Sequence, residues 1–151
     1  MSLRAAFLAL TVLVLAPSAG AAGAAGAQTG GTVPGAADQA RIEQVIRDQM
    51  SAFRRDDGAA AFAHASPTIQ RKFGDPASFM AMVRTGYAPV YRPRHVEFRD
   101  LVELRGAPAQ QVLVIGPDGN PVMAVYSMER QPDGTWRISG CVLLPLPGES
   151  A

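Results

Sequence analysis

The sequence predicts an α+β domain: N-terminal helices packed on a curved antiparallel sheet of about four strands, cone-like and with room for a pocket. Three observations carry this expectation. Apolar residues recur at helical spacing in the first half, the period changes to two after residue 93, and two Pro-Asp-Gly turns (117–119 and 132–134) punctuate the second half. Helices first and strands afterwards form the pattern of an α+β domain, and 151 residues suffice for one domain and not for two.

Asp38 is a good N-cap, and from it Ile42, Val45, Ile46, Met50 and Phe53 form an apolar stripe. Arg41, Glu43, Arg47, Asp48 and Arg54 fall largely off that stripe, which predicts an amphipathic helix of about four turns. A short second helix follows within 55–66, with Asp57 able to cap it. "SPTIQRKFG" places Ser66 as cap, Pro67 at the first helical position and Gly74 as stop. "DPASFMAMVRTG" repeats that grammar with Asp75, Pro76 and Gly86, and Phe79, Met82 and Val83 supply its apolar face.

"GYAPVYRPRH" (86–95) connects the helices to the sheet. Pro89 and Pro93 push their preceding residues toward extended backbone, so the segment is read as a stiff, non-helical connector. Its side chains have two readings: they clamp the end of the core, or they form the rim of a pocket. In the second, Tyr87, Tyr91, Arg92 and His95 meet a polar or anionic ligand. The strands expected next are "HVEFRDLVEL", "QQVLVI" (110–115), "VMAVYSMER" (122–130) and "TWRISGCVLL" (135–144). "GPDGNP" and "QPDG" join the last three into an antiparallel meander.

Residues 1–27 read as a secretory signal. Arg4 precedes the apolar run "AAFLALTVLVLA" (5–16), and Ala-Gly-Ala triplets follow. The run is shorter than the ~20 residues of a membrane-spanning helix. Residues 28–37 are read as a disordered leader, 38–146 as the domain and 147–151 as a flexible tail. The expected location is periplasmic or secreted, with no membrane insertion after cleavage. Loss of Arg4 balances the charge at 13 basic against 13 acidic residues, which removes any electrostatic case for nucleic acid. Lys72 is the only lysine, a trait attributed to composition. Cys141 is the only cysteine, either a buried hydrophobe in a strand or the site of an intermolecular disulfide.

Strong chemical motifs are missing. His64 and His95 lack metal-ligand spacing, no G-x-S-x-G is present, and Cys141 has no local activating partner. No cofactor is expected. Acid–base chemistry would need one base and one donor in a dry cavity. Asp100 is in phase with Val96, Phe98 and Val102 on its strand, and Tyr126 shares a face with Val122 and Ala124, so these two are the catalytic candidates. A bend in the strand would turn Asp100 outward. His64 is read as a satisfied interfacial histidine, and Trp136 as packing over the sheet end.

"ASPTIQRKFG", "GYAPVYRP" and "DGTWRISGC" resemble a bacterial domain-of-unknown-function family, number 4864, over about residues 40–145. That resemblance implies no established activity and no catalytic residues. The element order and "DGTWRI" also resemble the wider nuclear-transport-factor-2-like group, whose curved sheet wraps a long helix around a pocket. The group's functions range from isomerases and dehydratases to plain binding and dimerisation domains, so the fold does not fix the function. The expectation is an exported module that binds a small molecule or a partner protein without catalysis. The alternative is an isomerase- or dehydratase-like enzyme using Asp100 with Tyr126 or Tyr91. A homodimer through the sheet face would require an apolar patch on strands 2–4.

Overall fold

A computed structural model describes residues 33–147 of the protein. The proposed signal, the first half of the leader and tail residues 148–151 lie outside the described residues, and Ala36 and Ala37 of the expected leader belong to the first helix. Five helices precede four strands: α1 (Ala36–Arg54), α2 (Gly58–Ala63), α3 (Pro67–Phe73), α4 (Pro76–Gly86), α5 (Ala88–Tyr91), β1 (His95–Leu104), β2 (Ala107–Ile115), β3 (Pro121–Arg130) and β4 (Trp136–Pro145). The strands form one open antiparallel sheet in the order β1-β2-β3-β4, so the α+β class and the meander hold. No described helix is long and apolar enough to cross a membrane.

Side-chain caps set three of the helix starts. Asp57 accepts from the Ala60 amide, Ser66 from Ile69 and Asp75 from Ser78, each satisfying an amide that a helix N-terminus leaves unpaired. Asp38 plays a different part from the one expected. α1 starts three residues earlier, with Gly35 as N-cap, and the Asp38 carboxylate accepts from Trp136 Nε1 at 3.3 Å and pairs with Arg130 at 3.6 Å. It therefore ties the first helix to the β3–β4 hairpin. The hairpin turns follow the expected chemistry. Gly119 and Gly134 both adopt φ 84°, and Asp118 and Asp133 accept from the Asn120 and Thr135 amides.

The connector departs from its prediction. Ala88–Tyr91 makes a single helical turn, because Pro89 sits in the first turn, where a missing N–H costs nothing. Val90 is thereby buried, while Arg92, before Pro93, leaves the helical region as expected.

Two apolar cores result. The first places Ile42, Ile46 and Met50 of α1 against the inner sheet face, including Val112, Val114, Ala124, Met128 and Ile138. The second joins Ala52 and Phe53 of the same helix to Ala61, Phe79, Met80 and Val83 from α2 and α4. Tyr87 packs against both.

β1 also differs from a regular strand. Phe98 pairs with Val112 but Leu101 pairs with Gln110, so a bulge at Arg99 and Asp100 shifts the phase by one residue. Val96, Phe98 and Leu101 face the core, whereas Asp100 is exposed. The bulge diverts the Arg99 carbonyl from the ladder, and buried Gln110 donates to it through Nε2 at 2.7 Å. Replacing Gln110 with leucine leaves that carbonyl without its donor. Leucine also removes Gln110 Oε1, which is buried without a partner, so the expected net cost is about 1 kcal/mol, read as a lower urea midpoint at unchanged slope.

Candidate functional site

A cavity of about 350 Å³ lies where the two cores meet. α3 and α4 contribute Ile69, Phe73, Phe79, Met82 and Val83, and α1 contributes Gln49 and Phe53. The sheet supplies Tyr126 and the β4 run Ile138–Cys141, with Tyr87 and Val90 closing one side. The cavity exists because α1 is shared: its second half turns Phe53 into the helical core, and the short α3 and α4 do not fill the space over β3 and β4.

Polar groups on this wall are few. Tyr126 is 1% exposed, and its hydroxyl, sealed from solvent, has only the weak Cys141 thiol beside it as a hydrogen-bond partner. Burial holds that phenol well above its ordinary pKa. Cys141 stands directly opposite on β4, and burial pushes its thiol up to about 12. The Tyr87 hydroxyl donates to the Cys141 carbonyl at 3.1 Å, and burial raises its pKa as well. Gln49 is buried and donates to the Ala61 carbonyl at 3.1 Å. Lys72 is exposed at the mouth and makes no ion pair among the described residues, its ammonium lying 5.5 Å from the Phe73 ring centre.

A broader groove of about 620 Å³ runs between α1 and β1. Of its charges, Arg47 contacts Glu43 at 3.1 Å and covers the Phe98 ring at 4.1 Å, Glu97 pairs with Arg99 at 3.1 Å, and Arg54 makes no ion pair among the described residues. The smaller cavity is the better candidate because it is more enclosed and its lining is mostly apolar with a few polar groups.

The structure divides the residues singled out from the sequence. Tyr87 and Tyr126 come together on the cavity wall. Tyr91 and Arg92 instead converge on Asp56, outside it. Tyr91 donates its hydroxyl to Asp56 Oδ1, Arg92 Nη2 contacts Oδ2 at 3.0 Å, and Arg84 Nη2 reaches Oδ1 at 3.4 Å. Arg92 also donates to the Phe53 carbonyl near the end of α1. Asp56 occupies the left-handed region at φ 53°, and the Tyr91 hydrogen bond followed by the two guanidiniums lowers its pKa. This is a clamp that holds the α1–α2 turn against α5.

His95 is exposed at the start of β1, and Asp100 is exposed at the bulge. Neither lines the cavity, so the Asp100–Tyr126 pair is not assembled. The expected phase failed because a bulge inserts a residue without changing the apolar letters around it. His64 lies at the α2–β4 junction, where its carbonyl accepts from the Ile138 amide and burial lowers the imidazole pKa, as suits an interfacial histidine. Gln49 and Lys72 were missed. Gln49 lies beside a helix stripe and carries no motif, and the uniqueness of Lys72 was the one signal available. No cluster of three or more His, Cys, Asp or Glu residues suited to a metal occurs among the described residues.

A pKa near 12 leaves the Cys141 thiol protonated at neutral pH, so it is no nucleophile. Iodoacetamide should label the folded protein about a thousandfold more slowly than the urea-unfolded chain at pH 8. The folded-state rate should keep rising through pH 10. Fast labelling with a plateau near pH 9 would contradict the assignment.

The family model described as Domain of unknown function (DUF4864) matches residues 35–151. Comparisons with curated proteins and with solved structures returned no match.

Proposed function

We propose that this chain, which belongs to the family described as Domain of unknown function (DUF4864), is an exported protein that binds a small, largely apolar molecule without transforming it. The observation that carries the reading is the cavity of about 350 Å³ with mostly apolar walls that lies between the two cores. The volume is at the small end of the usual ~300–1,000 Å³ range for ligand sites.

The ionisable groups favour binding over catalysis. No carboxylate or imidazole lines the cavity, and burial keeps Tyr87, Tyr126 and Cys141 in their neutral forms. A general base within reach of a bound molecule is what acid–base chemistry would require. Export rests on the sequence of residues 1–27, whose apolar run and small-residue triplets have the order of a cleavable signal.

The test uses the neutral probe N-phenyl-1-naphthylamine. It should bind the folded protein at one site with micromolar affinity, and Ile69→Trp, which fills the cavity from α3, should weaken binding at least tenfold. Absence of saturable binding by a folded wild-type protein would overturn the reading.

One observation favours a second property, self-association through the outer sheet face. Adjacent rows there read Leu113, Met123, Leu144 and Gln111, Val125, Val142, with Ala109, Ser127, Gly140 as a low third row. Val142 and Leu144 are 51% and 48% exposed. None of these three rows on β2–β4 carries a charge, which suits a self-complementary partner better than a charged one. At ~4.8 Å between strands and ~3.3 Å per residue the three rows project to roughly 290 Å², so a stable dimer at ~800 Å² per partner would also enlist the residues around them. Light scattering should give a dimer mass for the wild type and a monomer mass for Val142→Lys combined with Leu144→Glu, with unchanged circular dichroism. A monomeric wild type at 100 µM would rule the dimer out.

A further inference from the structure

We infer that the ligand carries a neutral hydrogen-bond donor, a hydroxyl or an N–H, on a compact apolar body, and that the side-chain carbonyl of Gln49 receives it. The inference rests on the apolar-cavity reading above and adds the polar group that selects among apolar molecules.

Gln49 is a buried amide with only one half committed. It is 3% exposed, lies between Ile46 and Phe53 on one row of α1, and lines the cavity. The Ala61 carbonyl can only accept, so the group facing it at 3.1 Å is Nε2, and Oε1 takes the opposite place. No described residue donates to that oxygen. Gln110 Oε1 and the Tyr126 hydroxyl are partnerless oxygens shut off from solvent altogether, and Gln49 Oε1 is not among them. With the rest of the residue buried, the opening left to Oε1 is the one onto the cavity that Gln49 lines.

Such an acceptor selects its complement by charge. An anion would hold its own oxygens against Oε1, and that repulsion adds to the cost of bringing a charge among apolar side chains. A cation meets no carboxylate in the lining, whose single charged side chain is Lys72. A neutral donor meets neither obstacle and satisfies a buried acceptor. For the apolar body, the rings of Phe53, Phe73 and Phe79 favour a flat aromatic system.

The experiment measures displacement of N-phenyl-1-naphthylamine by 2-naphthol, 2-methoxynaphthalene and 2-naphthoate, which share one ring system. 2-Naphthol should bind about fivefold more tightly than its methyl ether, although it is the less apolar of the two, and more tightly than the carboxylate. Gln49→Met keeps the length of the side chain, and the Ala61 carbonyl retains the His64 amide as donor. That variant should invert the preference, with the ether binding more tightly than the naphthol. Equal affinity of the wild type for naphthol and ether, as a water held on Oε1 would give, overturns the inference whether or not the variant folds. So does a naphthol advantage that survives in folded Gln49→Met, or tightest binding of 2-naphthoate, which would make Lys72 the selecting group. Each of these results leaves probe binding intact. Loss of probe binding by the wild type would instead remove the apolar-cavity reading on which the inference stands.

Discussion

One helix serves two cores, and the remainder of the architecture follows from that constraint. Ile42, Ile46 and Met50 of α1 are committed to the sheet, while Ala52 and Phe53, less than one turn beyond Met50, are committed to the short helices. A helix presents neighbouring residues in directions about 100° apart, so a single apolar stripe cannot satisfy both partners at the same height. The division occurs along the axis instead. Space remains at the junction, and Tyr87 spans it, with its ring against both cores and its hydroxyl on the Cys141 carbonyl.

The same division explains the Asp56 clamp. α1 must end where its second set of apolar contacts ends, and the chain then turns through a residue at φ 53°. That conformation is unfavourable for a side chain other than glycine. Tyr91, Arg84 and Arg92 all converge on the Asp56 carboxylate, and Arg92 also takes up the Phe53 carbonyl that the helix end exposes. These contacts are about half exposed, so their value lies in fixing geometry more than in net energy. The segment 86–95 thus divides by side chain, with Tyr87 turned toward the cavity and Tyr91 and Arg92 fastened to the outside.

Features governed by local chemistry were legible in the sequence. The caps at Asp57, Ser66 and Asp75, the Pro-Asp-Gly turns and the start of β1 at His95 all depend on a few adjacent residues. What depends on distant pairing was not legible. Asp38 looked like a cap because nothing near it in the chain announces Trp136, 98 residues away. The β1 bulge is invisible for the same reason. The letters from Val96 to Val102 alternate well enough, and only the pairing with β2 shows the phase change that turns Asp100 outward. Of the candidate site, Tyr87 and Tyr126 could be found from phase and composition. Gln49 and Lys72 become significant only once a cavity exists for them to border.

Cys141 shows how position along the chain becomes a matter of timing. It lies on β4, the last strand of the meander, and the packing that holds its thiol protonated requires β4 to be paired beside Tyr126. Until the C-terminal strand has docked, the thiol has the reactivity of any free cysteine. In an oxidising compartment, folding therefore competes with mixed-disulfide formation. The short hairpin loop at 131–135 favours folding in that contest, because a local antiparallel closure takes microseconds whereas disulfide chemistry takes seconds or longer. The lone cysteine is protected by the speed with which its strand finds its neighbour.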